Sequence, residues 1–354
     1  DNFSAPAMWN FTPTTYEGYV EGGDVSAKAK SYMIYQEGIY VGYKYYETRY
    51  EDTVMGTGNA DGAAGASVGN AWAYSNEVVY PFGYGLSYTT FDQTLEGVTF
   101  DADSDMYQVS VRVKNTGSVA GKSVVEVYAQ TPYGSYEQEN QVEKASIQLV
   151  GFEKTAMLQP GEEATVTVPV ERYFLASYDS KGAAGYILSA GDYYLAVGDD
   201  AHDALNNVLA AKGYTTANGM TANGDAAFTY TYTNGVTDTE TYSISAVTGE
   251  KITNQLDSAD MTYYGYDEMN MLTRANWTGT WPEKIAIEAN DALLVDINPY
   301  QSYKGIDGST TEMPTMGADN GMTLGMMIGK DYDDPDWDKL LDQVTYEEMA
   351  ELVG

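Results

Sequence analysis

A series of short segments with alternating apolar and polar residues constrains this chain most strongly. The clearest begins at Met106, where Val109, Val111 and Val113 fall at every second position and polar residues stand between them. Further β-type runs cover residues 123–130, 145–152, 164–170 and 192–198. Successive side chains of a strand point to opposite faces, so short strands at this spacing predict an antiparallel β-sandwich.

Turn signals separate these strands. Residues 115–117, Asn-Thr-Gly, end the first strand, and Pro160-Gly161 marks a turn between two later ones. Residues 228–234 alternate again and lead into Asn234-Gly235, a typical hairpin turn. We expect the second arm of that hairpin to run through Tyr242 and Ile244.

Two glycine-rich stretches interrupt the pattern. Residues 56–76 match neither phosphate-binding spacing, because no GK[ST] follows and no clear strand precedes, so we expect a flexible insertion. Residues 199–225 are rich in Gly, Asn and Ala and are predicted to be a connector, with His202 in a surface loop.

The C-terminal residues carry helix signals. Asp334-Pro335 supplies an N-cap and a proline for the first helical position, and Trp337 opens an apolar stripe. Thr345 and Glu348 have the spacing of a capping box for a second short helix.

Charge and composition exclude several functions. With 52 acidic and 18 basic residues the net charge is −34, which disfavours nucleic acid and anionic membranes as partners but suits a neutral ligand. No apolar run approaches the ~20 residues that span a bilayer. The chain has no cysteine and a single histidine, His202, so thiolate zinc sites are excluded and Ser-His-Asp catalysis would depend on that one ring.

Two acidic clusters are weak candidates for calcium. The first is a D-x-D-x-D run of Asp101, Asp103 and Asp105, but Met106 and Arg112 stand where an EF-hand needs glycine and glutamate. The second consists of Asp199, Asp200 and Asp203 around His202. For both clusters a solvated surface is the preferred interpretation, and we predict no metal site.

Aromatic side chains offer a further candidate site. Trp277 and Trp281 bracket a short Thr-Gly-Thr segment and could stack on a sugar, although packing of an irregular linker is the favoured role.

Three blocks together resemble glycoside hydrolase family 3. YQEGIYVGYKYYET (35–48) is similar to a signature near the end of the family's α/β sandwich domain. Because that block marks a junction in the family, the resemblance implies a tyrosine cluster at a domain interface, formed by Tyr40, Tyr43, Tyr45 and Tyr46. YPFGYGLSYTTF (80–91) is similar to its junction with a fibronectin type III-like domain, and WDKLLDQVTYEEMAELVG (337–354) resembles the first helices of its catalytic (β/α)8 barrel.

The order of these blocks implies the swapped domain order found in some family members. The expected divisions are the end of the α/β sandwich domain and junction (1–91), the fibronectin-like domain (92–200), a linker with a hairpin (201–260), and a linker with the start of the barrel (261–354). The fold class is therefore mainly β. In the swapped order the acid/base glutamate and the nucleophilic aspartate would lie before and after this chain, so no catalytic residue is assigned and the substrate-binding residues are unknown.

The resemblance implies part of a retaining, exo-acting β-glycosidase, most similar to β-glucosidases, which needs no cofactor. Its substrate would be an oligosaccharide or an aryl or alkyl β-glycoside, and the remaining fragments of the same enzyme are possible partners. The chain alone is expected to be inactive, with its true N-terminus missing and a cytoplasmic location favoured. The alternative is a non-catalytic structural or carbohydrate-binding module with a fibronectin-like fold.

Overall fold

The computed structural model describes residues 12–15, 31–34, 36–266, 271–282, 290, 292–293 and 315–353. The chain divides into two compact units, residues 1–293 and residues 294–354. In the described part of the chain, no helix is both long and apolar enough to cross a lipid bilayer.

Eleven strands are defined among the described residues. They are β1 (Thr12–Thr15), β2 (Ser31–Ile34), β3 (Phe91–Asp101), β4 (Met106–Asn115), β5 (Val124–Gln130), β6 (Gln148–Lys154), β7 (Glu163–Glu171), β8 (Ser177–Asp179), β9 (Gly185–Ile187), β10 (Gly191–Gly198) and β11 (Thr229–Asn234). The helices are α1 (Tyr43–Met55), α2 (Tyr74–Glu77), α3 (Ser135–Asn140), α4 (Ala201–Ala211), α5 (Asp336–Leu341) and α6 (Tyr346–Val353).

Two antiparallel sheets form the predicted sandwich. One has the order β3-β4-β7 and the other the order β11-β10-β5-β6. Strand β4 alternates between buried and half-buried side chains, and the methyl groups of Val109, Val111 and Val113 face a core that includes Val127 and Leu195. Each fully buried side chain of this size contributes roughly 1.5–3 kcal/mol, so the alternation predicted from sequence supplies the core between the sheets.

The predicted turns within the sandwich are confirmed. Strand β4 ends at Asn115, whose side-chain amide donates to the backbone oxygens of Val119 and Leu158. Gly161 has a φ of 81° in the turn between β6 and β7. A residue with a Cβ rarely adopts that backbone conformation, which explains the glycine after Pro160.

Two strand predictions need correction. Strand β3 was not predicted, because its apolar residues are irregularly spaced and a bulge between Leu95 and Gly97 shifts the register. The predicted hairpin of residues 228–234 with Tyr242 and Ile244 is wrong, since β11 pairs with β10 in the register Tyr193↔Tyr232. Strand β11 is instead added to the sheet beside β10, and the alternation of residue types does not identify the strand with which a segment pairs.

Helix α4 replaces part of the predicted connector. Residues 201–211 are helical, the Asp200 carboxylate accepts a hydrogen bond from the Asp203 N–H, and Leu205 and Leu209 are buried. The prediction of a loop around His202 is therefore wrong. Asn206 and Asn207 inside this segment and the glycines and asparagines after it made a run of good helix formers resemble a connector.

The helices of the second unit agree with the sequence signals. Residue Asp334 accepts a hydrogen bond from the Asp336 N–H at the start of α5. At the start of α6, Thr345 Oγ1 accepts from the Glu348 N–H at 3.3 Å and Glu348 Oε2 accepts from the Thr345 N–H at 2.9 Å. The predicted capping box is confirmed.

Candidate functional site

Helix α1 is the centre of the candidate site because it is buried on all sides and yet charged. Eight consecutive residues, 45–52, are buried, and they include Glu47, Arg49, Glu51 and Asp52. A charge removed from water is costly unless it is paired and hydrogen-bonded. The partners of these four side chains therefore show what the helix is built to hold.

Arg274 is the partner of two adjacent carboxylates of α1. Its Nη2 lies 2.6 Å from Asp52 Oδ1 and 3.1 Å from Glu51 Oε2, and its Nε lies 3.2 Å from Asp52 Oδ2. The Trp277 indole donates to Asp52 Oδ2 at 2.8 Å. Segment 271–282 is thus fixed to the helix by a buried guanidinium and a buried indole.

Glu51 has two further partners. Its Oε1 accepts from Lys212 Nζ at 2.7 Å and from Gln130 Nε2 at 3.0 Å. Burial disfavours charge on Glu51, but the positive charges of Lys212 and Arg274 outweigh it, and the pKa of Glu51 is lowered. This carboxylate stays ionised at neutral pH.

The pair Glu51–Asp52 does not have the geometry of a glycosidase. A retaining displacement needs two carboxyl groups about 5–5.5 Å apart with the glycosidic bond between them. Here the guanidinium of Arg274 occupies the space between the two carboxylates. The pair can stabilise the fold, but no substrate bond can enter it.

Arg49 holds the glycine-rich loop that we expected to be a flexible insertion. Its guanidinium donates to the backbone oxygens of Ala60, Gly62 and Ala64 at 2.8, 2.9 and 2.7 Å and lies 5.0 Å from the ring centroid of Trp72. The loop is therefore packed against α1, and a free insertion is the wrong description of it.

His202 links helix α4 to α1. Its Nδ1 lies 2.7 Å from Glu47 Oε2, its Nε2 lies 2.6 Å from Thr221 Oγ1, and its ring stacks on Tyr74 at a centroid distance of 3.9 Å. The Thr221 N–H in turn donates to the Tyr50 hydroxyl. The expected surface histidine is therefore largely buried at the contact between α1 and α4.

The aromatic residues highlighted in the sequence pack in the same region. Trp277 is fully buried and lies 4.9 Å from the ring of Tyr40 and 5.7 Å from that of Tyr45. The packing role predicted for Trp277 is confirmed. Among the predicted tyrosines, Tyr43 lies at the edge of the cluster, where it stacks on Phe82 at 4.3 Å.

The two acidic clusters have structural roles. Asp101 accepts hydrogen bonds from the Asp103 N–H and the Ser104 hydroxyl, and Asp105 pairs with Arg172 at 2.8 Å. Asp200 caps helix α4. Within the described residues, no group of three or more His, Cys, Asp or Glu side chains has an arrangement that could hold a metal ion.

Comparison with known proteins shows to which proteins this chain is related. The fibronectin type III-like domain matches residues 123–201. The chain is 37% identical to a β-glucosidase of Ruminococcus albus over 175 residues, which is 48% of this chain and 15% of that protein. It is 35% identical to β-glucosidase A of Butyrivibrio fibrisolvens over 207 residues, 54% of this chain and 21% of that protein. The chain is related to the β-glucosidases.

The resemblance to family 3 glycoside hydrolases is thereby confirmed, and the β-sandwich is fibronectin type III-like. Among solved structures, β-glucosidase 3B of Thermotoga neapolitana in complex with α-D-glucose is 27% identical, with a TM-score of 0.39 and coverage of 58% of this chain and 21% of that one. At so low a TM-score the relationship rests on the sequence matches. The chain spans about a fifth or less of the two curated β-glucosidases named above.

Sequence reasoning missed the charged residues of helix α1 and their distant partners. Arg274 lies in the segment that drew attention for its tryptophans, and it meets Asp52 across 222 positions of sequence. A run of charges inside a tyrosine-rich helix was the available signal, because such charges need distant partners when the helix is buried.

Proposed function

We propose that this chain is part of a retaining, exo-acting β-glucosidase that cleaves terminal β-linked glucose from neutral glycosides. The observation that carries the proposal is the 37% identity to the Ruminococcus albus β-glucosidase over about half of this chain. The same proposal places the two catalytic carboxylates outside these 354 residues.

The contacts of helix α1 support a scaffolding role for the chain. Glu47, Glu51 and Asp52 are the buried carboxylates of this helix, and each has a cationic, imidazole or hydroxyl partner inside the protein. Such saturated carboxylates cannot donate a proton to a leaving group or attack a sugar without first breaking their contacts. With their partners they form a joint that fixes α1 to the fibronectin-like sandwich and to segment 271–282.

The divisions 1–91, 92–200, 201–260 and 261–354 are proposed as parts of the swapped domain order. In this arrangement the joint would fix the end of the α/β sandwich domain on the fibronectin-like domain, and the chain would then lead into the catalytic barrel. The scaffold would set the distance between the two catalytic carboxylates without contributing either one.

The test compares the 354-residue chain with a longer polypeptide that includes it, using an aryl β-glucoside and the matching aryl β-xyloside. We expect no turnover by the chain alone. The longer protein should release β-glucose first, as seen by proton NMR before the anomers equilibrate, and should prefer the glucoside. Turnover by the isolated chain would refute the placement of the catalytic groups, and first release of the α-anomer would refute retention.

A matched variant tests the scaffolding role in the longer protein. Replacing Arg274 by Met removes the cation between Glu51 and Asp52, whereas replacing Arg112 by Met removes an exposed one. The first change should reduce kcat or the fraction of active enzyme, and the second should leave both unchanged. Equal activity of the two variants would contradict the role of the joint in catalysis.

A further inference from the structure

A cavity of about 490 Å³ opens beside the joint. It lies between helix α1, residues 130–137 and the start of strand β10, with Lys212 at one side. Small-molecule sites in proteins have volumes of roughly 300–1,000 Å³. The cavity is therefore large enough for a mono- or disaccharide.

Tyrosine rings line the cavity and are held in place. Tyr133 lies under the Arg274 guanidinium with 4.5 Å between the guanidinium carbon and the ring centroid, and Lys212 Nζ lies 5.2 Å from the centroid of Tyr194. The hydroxyl of Tyr136 donates to Asp179 at 2.6 Å. Rings fixed before binding lose little entropy when a ligand stacks on them.

The surface of the cavity carries both hydrogen-bond donors and hydrogen-bond acceptors. The carboxylates of Glu51 and Glu137 and the guanidinium of Arg274 line the wall but are bonded to other protein groups, whereas the half-buried Lys212 ammonium and the exposed Ser135 hydroxyl and Asp192 carboxylate lie at the cavity surface. The pKa of Glu137 is lowered, since hydrogen bonds from Ser189 and from backbone N–H groups, with the charge of Lys144, outweigh the effect of burial. Hydrogen-bond donors and acceptors therefore face one space.

This composition discriminates between classes of ligand. A metal cation would meet the Lys212 ammonium, an anion would meet the Asp192 carboxylate, and an apolar ligand would remove water from both ionised groups without replacing its hydrogen bonds. A neutral polyhydroxy compound avoids all three penalties. Its hydroxyl groups both donate and accept, and its C–H faces can stack on tyrosine rings.

We propose that the cavity formed by helix α1, residues 130–137 and the start of β10 binds a neutral mono- or disaccharide, with Tyr133 and Tyr194 as stacking platforms. This site goes beyond the proposed glucosidase function, because it needs no catalytic carboxylate and lies entirely within this chain.

The probe is cellobiose, titrated into the 354-residue chain by calorimetry and by saturation-transfer NMR. Tyr194→Ala should weaken binding roughly two- to tenfold, the range expected for loss of one aromatic contact. Ser135→Trp places a large ring at the exposed Ser135, which lines the cavity, and should abolish binding without disturbing the core. Tyr88→Ala is the matched control, because Tyr88 is 98% exposed and does not line the cavity.

The outcomes separate the explanations. Thermal unfolding of each variant shows that it is folded, so a loss of binding in Ser135→Trp and Tyr194→Ala but not in Tyr88→Ala supports the site. Absence of cellobiose binding to the unmodified chain, or equal binding by all three variants, would overturn it. Tighter binding of glucuronate than of cellobiose would show an anion site and would equally reject a neutral ligand. Because no hydrolysis is measured, failure of this proposal is distinguishable from failure of the glucosidase proposal.

Discussion

Replacing Arg274 by Met tests the energetic importance of the buried joint directly. The arginine side chain is only 7% exposed, and it bonds Glu51, both oxygens of Asp52 and the backbone oxygen of Lys144. Methionine retains most of the aliphatic volume but none of the N–H groups. The variant therefore leaves the two carboxylates buried with much less compensation.

The expected cost is about 3–5 kcal/mol, the range for removing one partner of a buried ion pair. Lys212 and Gln130 still contact Glu51, so most of the loss should come from Asp52, which keeps the Trp277 indole at 2.8 Å and a long bond from the Thr57 hydroxyl at 3.4 Å but no cation. Since whole domains are stable by only about 5–15 kcal/mol, a change of this size removes a large part of the total.

Urea unfolding followed by tryptophan fluorescence at pH 7 measures this cost, with Arg112→Met as the control. Arg112 pairs with Glu96 and Glu163 at side chains that are 39% or more exposed, so its loss should cost no more than about 1 kcal/mol. A cost for Arg274→Met below that of the control would refute the reasoning.

The pH dependence of the Arg274→Met effect provides a second criterion. Burial raises the pKa of Asp52 and the charge of Arg274 opposes that rise, while Lys212 and Arg274 together outweigh the burial of Glu51 and lower its pKa. Removing Arg274 raises both pKa values, so the stabilisation that it supplies is present while the two carboxylates are ionised and is lost as they become protonated at lower pH. The difference in stability between the parent chain and the variant should therefore shrink on acidification. A difference that is constant from neutral to acidic pH would contradict a charge-based explanation.

Three further predictions use the same unfolding assay. Burial lowers the pKa of Lys144 to about 8, so above that pH the unfolded chain holds more protons than the folded one. The stability of the parent should therefore rise by up to about 3 kcal/mol as the pH approaches 10.5, whereas that of Lys144→Met should not. Equal slopes of stability against pH in the two proteins would contradict this. Gly58→Ala should cost about 1–3 kcal/mol more than Gly38→Ala, because both have positive φ but only the first would place a Cβ 2.1 Å from a backbone oxygen. His202→Ala should cost about 1–3 kcal/mol by removing a partner of the buried Glu47 carboxylate, and a neutral effect would show that water replaces the ring.

The sandwich could be predicted because its information is local. In strand β4 each valine at every second position meets the same core, so periodicity alone identifies the buried face. Strand β3 lacked this regularity, and its bulge between Leu95 and Gly97 changes the face that later residues present. Helix α4 was missed for a different reason, because Asn206 and Asn207 within it and the glycine- and asparagine-rich residues after it resemble a connector.

The joint could not be predicted because its information is distributed. Glu47 contacts His202 across 155 positions, and Glu51 contacts Lys212 across 161. No local pattern specifies such pairs. The packing role of Trp277 was predicted correctly, because a large indole in an irregular linker favours burial whatever its partner is.

The composition of the chain explains why these few internal cations matter. A net charge of −34 means that carboxylates repel one another over the surface, and this repulsion is weakened by salt. The pairs made by Arg274 and Lys212 with Glu51 are buried and are screened much less. Two carboxylates of the charged helix, Glu51 and Asp52, are thus held in the core by basic residues that are distant in sequence. The basic residues at the joint therefore help to keep α1 packed on the fibronectin-like sandwich, while exposed acidic residues without structural partners contribute mainly to solubility.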